Sequence, residues 1–476
     1  MFIDGKPVKA SDDGVFNVVN SATQEFIDTV PMATREDVLR AIDAAQVGKR
    51  VWAGMPVHER SRILHTCADA IDAHREGLAR SLSTEMGKII REAIPEIRVC
   101  AQIIRAFAEA ANHHYGKTLT DYQVGTENDV IFTRREPLGV VACVSPFNYP
   151  VELVTQKFAA ALAAGNAVII KPASDNPITV MKVVEICLTC GVPGNVMQLV
   201  TGSGAVVGDL LASSSGIDAI SLTGSTEVGV KVAEVGARTL KCVFLELGGN
   251  DPFIVFADSD LEHSIRDAVM GRVQNAGQTC CSPKRFIVEE SVKQAFIDGA
   301  VKLISGLKHG SPLDESTDLG SLISEKAAIE VERQVEHTIK QGARLVCGGK
   351  RYDKSYFEPT ILDGVTLDMD IARDLEVFGP VIPVIGFKTE QEAVDIANAT
   401  CYGLQGGVMT RDMGKAMRVA SKLQCGGVVI NSSGNYRHLS QPFGGYKMSG
   451  LGREGVSVTL DEMTQEKSFI MKNILK

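Results

Sequence analysis

The sequence has no excess of positive charge and no long apolar run, and both absences limit what it can do. Its 476 residues include 49 Lys and Arg against 58 Asp and Glu, a net charge of −9. A nucleic-acid surface needs a basic face, so no nucleic-acid partner is expected. The best membrane candidate, between Lys157 and Lys171, holds 13 residues, whereas a spanning helix needs about 20. We expect no membrane span and, because Met1 to Lys6 contain no apolar segment, no secretory signal.

A disulfide framework and a metal-ligand pattern are also missing. The eleven cysteines are an odd number without framework spacing, in a chain long enough to build its own core, which favours reduced thiols and a cytoplasmic location. The nine histidines show no metal-ligand spacing, so no metal site is predicted. The one Cys-x-x-Cys pair, Cys187 and Cys190, lies among apolar residues at helical spacing, and we interpret both as core residues.

From about residue 138 the chain alternates strand-like and helix-like segments. An apolar run over 138–145 predicts a buried parallel strand, and a helix pattern over 151–164 stops at Gly165, a usual residue after a helix. Asn176 is expected to cap the next helix, with Pro177 at its first position. Repeated βαβ units predict an α/β fold with a doubly wound parallel sheet, which binds ligands at the carboxyl ends of its strands.

The Gly-Gly pair at 248–249 predicts a hinge into a second α/β domain. Two short, β-leaning stretches fit neither core and would be exposed edges in a monomer, so we interpret them as a small β oligomerisation element of a homodimer or homotetramer. The predicted units are a cofactor-binding domain (1–114 and 136–247), a catalytic domain (248–450) and the oligomerisation element (115–135 and 451–476).

Three segments carry side chains suited to chemistry. Cys280 lies in the glycine-containing turn Ala276-Gly-Gln-Thr-Cys-Cys281, although a cysteine alone is more often a small buried hydrophobe than a nucleophile. Glu246 ends an apolar strand, where a carboxylate is costly to bury and could become a base active near neutral pH; an isolated glutamate could equally be structural. Asn148 follows the first strand and could simply cap the next helix.

Together these segments resemble the aldehyde dehydrogenase superfamily over nearly the whole chain. The separation of Glu246 and Cys280 is the one that such enzymes use. Five further segments match in the same order: Lys171-Pro-Ala-Ser174, Leu222-Thr-Gly-Ser225, Glu376-Val-Phe-Gly-Pro380, Pro442-Phe-Gly-Gly445 and Ser449-Gly-Leu-Gly-Arg453. The resemblance implies NAD(P)-dependent oxidation of an aldehyde to its carboxylic acid.

The resemblance also implies a role for each catalytic residue. Cys280 attacks the aldehyde as a thiolate, and the Asn148 amide and the Cys280 backbone N–H hold the oxyanion. After hydride transfer, Glu246 activates the water that hydrolyses the thioester. Two alternatives are a CoA-acylating semialdehyde dehydrogenase, which usually lacks the glutamate, and a catalytically silent cofactor-binding relative, which should have lost one of the three residues.

The same resemblance implies a cofactor site without the usual Gly-x-Gly-x-x-Gly fingerprint. Lys171 and Ser174 would flank the adenosine ribose, and the helix that opens after Ser225 would meet the pyrophosphate. Many NAD-preferring members carry a glutamate at the position of Ser174, so serine admits NADP without excluding NAD. The expected cofactor residues are Phe147, Asn148, Lys171, Ser174, Gly224, Ser225, Leu247, Glu376 and Phe378.

Substrate choice is expected to depend on Arg437 and Phe443. In having an arginine at position 437, the sequence resembles the family branches that act on lactaldehyde, on glyceraldehyde phosphate without phosphorylation, or on semialdehydes. This resemblance implies that the substrate is a small polar or anionic aldehyde. The alternative is that Arg437 forms a salt bridge at a subunit interface. Thr279 stands where the glyceraldehyde phosphate enzymes carry an arginine, which argues against a phosphorylated substrate. Gln156 stands where succinic semialdehyde enzymes often carry an arginine, which argues against that substrate as well.

Cys281, next to the expected nucleophile, could be a packing residue or could form a reversible disulfide with Cys280.

Overall fold

The computed structural model describes residues 1–120 and 122–475. Asp121 and Lys476, which belong to the stretches assigned to the oligomerisation element, lie outside the described residues. Within the described ranges no helix is both long and apolar enough to cross a membrane. The same ranges contain no group of three or more His, Cys, Asp or Glu side chains arranged to hold a metal ion.

Helices and strands alternate along most of the described chain, as the sequence predicts. The α-helices are α1 (Arg35–Gly54), α2 (Val57–Ala73), α3 (Arg75–Met86), α4 (Ile90–Ala111), α5 (Pro150–Ala164), α6 (Ile178–Thr189), α7 (Asp209–Ser213), α8 (Thr226–Ala237), α9 (Leu261–Val273), α10 (Glu290–Ser305), α11 (Glu325–Lys340), α12 (Glu390–Asn398), α13 (Met413–Ala420) and α14 (Val456–Glu462). The strands are β1 (Phe2–Ile3), β2 (Lys6–Pro7), β3 (Val15–Val19), β4 (Phe26–Pro31), β5 (Thr118–Leu119), β6 (Val130–Pro137), β7 (Val140–Val144), β8 (Ala167–Lys171), β9 (Met197–Leu199), β10 (Ala219–Thr223), β11 (Cys242–Glu246), β12 (Asp251–Val255), β13 (Pro283–Glu289), β14 (Arg344–Cys347), β15 (Arg351–Tyr352), β16 (Tyr356–Phe357), β17 (Thr360–Asp363), β18 (Val381–Phe387), β19 (Gln405–Met409), β20 (Gly427–Ile430), β21 (Gly450–Leu451) and β22 (Thr464–Met471).

The first large sheet has the order β2-β1-β9-β8-β7-β10-β11-β21. Its five central strands, β9 to β11 in this order, are parallel. The chain builds the sheet outward from β7, with β8 and β9 on one side and β10 and β11 on the other. The strand order therefore reverses between β7 and β10, and the carboxyl ends of these two strands flank the crevice where such sheets bind ligands.

The second large sheet has the order β14-β17-β18-β13-β12-β19-β20. All of its strand pairs are parallel except the pair of the edge strand β14 with β17, which is antiparallel. The Gly-Gly pair at 248–249 lies in the short connection from β11 of the first sheet to β12 of the second. A Cβ atom on Gly249 would lie 2.8 Å from the carbonyl oxygen of Cys280. Glycine is therefore needed here because two segments of backbone approach closely. Two parallel-rich sheets in a mixed α/β chain confirm the predicted fold class.

A third, smaller sheet joins two distant parts of the chain. β22 pairs antiparallel with β6, and β6 pairs with β5. The C-terminal stretch does not belong wholly to this sheet, because β21 pairs with β11 and α14 packs against α4 and α5. Both outer strands, β5 and β22, have edges that lack a partner strand within the described residues, and Leu119 and Ile470 on them are exposed. Their role in oligomerisation stays a prediction.

The structure corrects one helix cap. α6 begins at Ile178, and the Asn176 amide donates instead to the backbone oxygen of Phe147, at 2.7 Å. The carboxylate of Glu85 on α3 accepts from the backbone N–H groups of Ile178 and Thr179, at 2.9 and 2.7 Å. The capping prediction was wrong because an acidic side chain remote in sequence occupies the positive end of the helix.

The two cysteines of the Cys-x-x-Cys pair differ in burial. Both pack against the largest apolar cluster of the molecule. Cys187 is buried within α6, whereas Cys190, the residue that follows the helix end, is partly exposed. The prediction of two core residues is therefore confirmed for Cys187 only.

Candidate active site

Two cavities adjoin the loop that carries Cys280. The first, of about 740 Å³, follows the crevice at the carboxyl ends of β7 and β10. The second, of about 710 Å³, is lined by residues of α4, α5 and the loop at 435–440. Cys280 lines both, and no other described residue does so. Its side chain therefore lies where molecules in the two cavities would meet.

The turn before Cys280 is held in an unusual backbone conformation. Three consecutive residues have left-handed φ angles: Asn275 (51°), Ala276 (54°) and Gly277 (79°). Such values are rare outside glycine and persist only where the surroundings enforce them. A Cβ atom on Gly277 would lie 2.3 Å from the carbonyl carbon of Gly379. The buried guanidinium of Arg272 donates to the Gly277 oxygen, at 3.4 Å. The backbone of this loop is thus constrained and fixes the position of Cys280.

Eight of the nine expected cofactor residues line the first cavity. The cavity offers a cation, a helix N-terminus and apolar walls, a combination that fits a dinucleotide. Burial lowers the pKa of Lys171 to about 8, against the opposing effect of Asp175. Ser174 is the exception, since it lies outside the lining and its hydroxyl donates to the backbone oxygen of Gly202, at 3.0 Å. The lining residues from the expected set are Phe147, Asn148, Lys171, Gly224, Ser225, Leu247, Glu376 and Phe378.

Asn148 is tied to the nucleophile loop. Its side-chain amide donates to the backbone oxygen of Gln278, at 3.0 Å, and its own backbone oxygen accepts from the Asn275 amide, at 2.9 Å. The position before α5 is Tyr149, and that helix has no side-chain cap. The capping alternative for Asn148 is therefore wrong, and the amide instead lies at the wall of the first cavity beside Cys280.

The surroundings of Cys280 favour the neutral thiol. Contact with the Cys281 thiol, followed by burial, raises the pKa of Cys280 well above its usual value, and the positive charge of Lys284 opposes this shift. The Lys284 ammonium donates to the backbone oxygens of Thr279 and Cys280, at 3.0 and 2.5 Å. It also lies 3.3 Å from the carboxylate of Glu376. Attack by Cys280 on a carbonyl carbon consequently requires removal of a proton.

Glu246 is buried at the end of β11 but lines neither of the two large cavities. Burial raises the pKa of its carboxyl group well above the usual range, and the charge of Glu454 adds to the effect. A Cβ atom built on Gly444 would lie 2.7 Å from its Oε1, and among described residues its Oε2 has no hydrogen-bond partner. In this conformation the Glu246 carboxylate is therefore not at the wall of either cavity.

Comparison with known proteins agrees with this geometry. The sequence profile of the aldehyde dehydrogenase family matches residues 8–469. The chain is 37% identical over 478 residues to the lactaldehyde dehydrogenase of Methanococcus maripaludis strain C5, covering 100% of each. It is 37% identical over 467 residues to the NADP⁺-dependent succinate-semialdehyde dehydrogenase of Escherichia coli K12, covering 98% and 96%.

The chain belongs to the aldehyde dehydrogenase family. A solved structure of betaine aldehyde dehydrogenase from Staphylococcus aureus in complex with NAD⁺ superimposes with a TM-score of 0.96, at 34% identity, over 99% of this chain and 94% of that one. The family resemblance predicted from sequence is thereby confirmed. This aldehyde dehydrogenase is an NAD(P)⁺-dependent oxidoreductase that oxidises aldehydes to carboxylic acids.

Sequence reasoning missed a buried charge cluster in the aldehyde dehydrogenase. One carboxylate oxygen of Glu454 lies 2.8 Å from the Lys157 ammonium, and the other lies 2.5 Å from the Arg437 guanidinium. Burial alone would raise the pKa of Glu454, but the two cations outweigh it and lower the pKa to about 2. Arg437 thus has an ion pair within its own chain, an arrangement that neither of its two expected roles included. Glu454 directly follows the Ser449–Arg453 motif, and this proximity was its only sequence signal.

The expected substrate residues occupy different positions. Arg437 lines the second cavity. Phe443 lines neither large cavity; it is buried with Leu404 and Cys281, and its ring lies 4.1 Å beneath the Arg437 guanidinium. Phe443 therefore supports Arg437 and packs behind Cys281 rather than contacting a molecule in the cavity.

A second missed group surrounds Asn148. The buried ammonium of Lys88 donates to the Asn148 backbone oxygen, at 2.9 Å, and lies 3.5 Å from the centre of the Tyr149 ring. It also forms an ion pair with buried Glu96, whose other oxygen accepts from two backbone N–H groups in the first turn of α5, at 3.1 and 3.3 Å. Lys88 and Glu96 together position the segment that carries Asn148.

Proposed function

We propose that this enzyme oxidises a small polar aldehyde through an acyl intermediate on Cys280. The observation that carries the proposal is the position of Cys280 as the residue shared by the two cavities. The first cavity would hold the nicotinamide cofactor and the second the aldehyde. The cysteine then lies between the two reactants, as a covalent mechanism requires.

The proposed mechanism uses the side chains of Cys280, Asn148 and Glu246. The Cys280 thiol first gives up its proton to solvent water, and the thiolate attacks the aldehyde carbon to form the anion of a thiohemiacetal. The Asn148 amide and the Cys280 backbone N–H stabilise the oxyanion of this intermediate. The bound nicotinamide supplies the hydride acceptor. The resulting thioester is hydrolysed by water that Glu246 deprotonates after its side chain rotates toward Cys280. The presence of Glu246 favours hydrolysis over transfer of the acyl group to CoA.

The cofactor is proposed to be NADP or NAD. Ser174 is small and uncharged, and Lys171, three residues before it in the sequence, lines the first cavity. A 2′-phosphate would therefore meet a cation and no carboxylate at this position. The NADP⁺ named for the Escherichia coli relative and the NAD⁺ bound by the Staphylococcus aureus relative support admission of both.

A polar substrate is proposed because amide side chains line the second cavity. They are Gln102, Gln274 and Asn435. We further propose that the exposed edges of β5 and β22 pair with another subunit, since an apolar unpartnered strand edge is otherwise an aggregation site.

The test is Cys280→Ala, assayed by reduced-cofactor absorbance with short aldehydes and each of NAD and NADP. Loss of all turnover with cofactor affinity retained is expected, because the thiol takes part in bond making rather than in folding. Cys242→Ala is the matched control, since Cys242 is an exposed cysteine of β11. Turnover by Cys280→Ala above a trace would remove Cys280 from the mechanism.

A further inference from the structure

The second cavity contains an acidic side chain whose carboxylate has no hydrogen-bond or ion-pair partner among the described residues. Glu152 lies in the first turn of α5 and lines this cavity. Its backbone N–H donates to Glu96, at 3.3 Å. Over residues 1–120 and 122–475, however, its carboxylate accepts no hydrogen bond and forms no ion pair, and the side chain is partly exposed. The carboxylate oxygens are therefore available to a molecule in the cavity.

The cation on the same cavity wall already has an ion-pair partner. The Arg437 guanidinium lies 2.5 Å from Glu454 and stacks on the Phe443 ring. It is the one permanently charged cation among the described residues that line this cavity. Burial raises the pKa of Glu152, while the nearby charge of Arg437 favours its ionised form. An anionic substrate tail would thus meet an uncommitted carboxylate and an arginine that already has a partner.

We propose that Glu152 selects the aldehyde by accepting a hydrogen bond from a hydroxyl or ammonium group of the substrate and by disfavouring a carboxylate tail. This inference rests on the proposed function, because it places the substrate in the second cavity. Specificity of this kind combines attraction for one class with like-charge repulsion of another. The enzyme should accordingly prefer hydroxyaldehydes or aminoaldehydes to semialdehydes.

The experiment compares kcat/KM for four aldehydes: propanal, lactaldehyde, 3-aminopropanal and succinic semialdehyde. The variant Glu152→Gln keeps the shape of the side chain and removes its charge. The ratio of kcat/KM for 3-aminopropanal to that for succinic semialdehyde should fall by about tenfold or more in Glu152→Gln. Glu152→Asp, which restores the charge, should recover most of the wild-type ratio. Because glutamine keeps one hydrogen-bond acceptor, a loss confined to 3-aminopropanal identifies charge attraction as the selective contact, and a parallel loss for lactaldehyde identifies the stronger hydrogen bond that a hydroxyl donates to a charged carboxylate.

The controls separate this inference from the proposed function. Glu185→Gln neutralises an exposed glutamate of α6 outside the cavity and should leave the ratio unchanged. Equal changes for all four aldehydes in Glu152→Gln would overturn the selective role while leaving the proposed function intact. If the wild-type enzyme oxidises none of the four with either cofactor, the proposed function itself fails. Should Glu152→Gln not fold, a wild-type preference for succinic semialdehyde over 3-aminopropanal would overturn the inference.

Discussion

The Arg437 guanidinium and the Glu454 carboxylate form a largely buried ion pair 2.5 Å apart, and Glu454 also binds Lys157, at 2.8 Å. One acidic side chain therefore compensates two cations, of which Arg437 lines the second cavity. Removing one member of such a buried group usually costs more than the group contributes as a whole, because the remaining charges lose their partner. We accordingly expect Arg437 to contribute more to the stability of the cavity wall than to substrate binding.

Arg437→Leu should lower the activity toward every aldehyde together. The substitution leaves Glu454 with one cation and exposes the face of Phe443, so we expect a loss of about 3 kcal/mol in the free energy of unfolding. The measurements are urea unfolding and kcat/KM for propanal and succinic semialdehyde. Arg418→Leu, which breaks the surface ion pair with Glu390, should cost less than about 1 kcal/mol. A loss confined to succinic semialdehyde would instead make Arg437 an anchor for anionic tails.

Glu246→Gln should stop the reaction after hydride transfer. Glutamine cannot accept the proton of the attacking water, so a rapid burst of reduced cofactor is expected, followed by turnover about 100-fold slower or more. Stopped-flow absorbance separates the two phases. Wild-type steady-state turnover in Glu246→Gln, or restoration of rapid turnover by CoA, would favour the acylating alternative.

Glu246 should also make the kcat of the enzyme depend on pH. Burial and the charge of Glu454 raise the pKa of Glu246 well above the usual range, so its basic form appears only at higher pH. Steady-state kcat of the wild-type enzyme should therefore fall as pH is lowered through this raised pKa, which lies above the usual glutamate value of about 4.3. This fall in kcat at low pH should be missing in Glu246→Gln. A kcat that is flat from pH 5 to 9 in the wild type would contradict the assignment.

The sequence predicts the parts of the site that lie within short motifs. Asn148 follows β7 of the first sheet, whereas Cys280 and Glu376 lie in family motifs that precede β13 and β18 of the second sheet. All three residues line the first cavity. Partners remote in sequence could not be predicted, because Lys157 and Glu454 are 297 residues apart and neither has a local pattern that names the other. The prediction that Asn176 caps α6 failed for the same reason, because the capping carboxylate of Glu85 comes from another helix. Ion pairs between residues that are remote in sequence can therefore be identified only from the three-dimensional structure.

Ser174→Glu should turn the enzyme away from NADP. A carboxylate beside the adenosine ribose would repel the 2′-phosphate, and a loss of about 1–3 kcal/mol corresponds to roughly 5–150-fold in relative affinity. Cofactor affinities by fluorescence titration give the NADP/NAD ratio. Ser174→Ala, which removes the hydroxyl that donates to Gly202, should leave this ratio near the wild-type value. An unchanged ratio in Ser174→Glu would show that other residues contact the 2′ position.

Lys88→Met should slow the chemical step by displacing the oxyanion donor. The Lys88 ammonium holds the Asn148 backbone oxygen, at 2.9 Å, and its loss frees the segment that carries the Asn148 amide. A displacement of about 1 Å at a reacting group can cost up to about 100-fold in rate, so a fall of roughly 10–100-fold in the hydride-transfer burst is expected. Cofactor affinity should change little, because Lys88 does not line the first cavity.

The same substitution also leaves Glu96 as an uncompensated buried charge, which by itself would destabilise the fold by about 3–5 kcal/mol. The double variant Lys88→Met/Glu96→Gln separates the two effects. It removes the unpaired charge and should recover much of the lost stability in urea unfolding, yet the burst rate should stay low because the Asn148 oxygen still lacks the lysine donor. Recovery of stability and burst rate together would mean that Lys88 serves folding only. A low rate in a stable double variant would establish Lys88 as a positioning residue for Asn148.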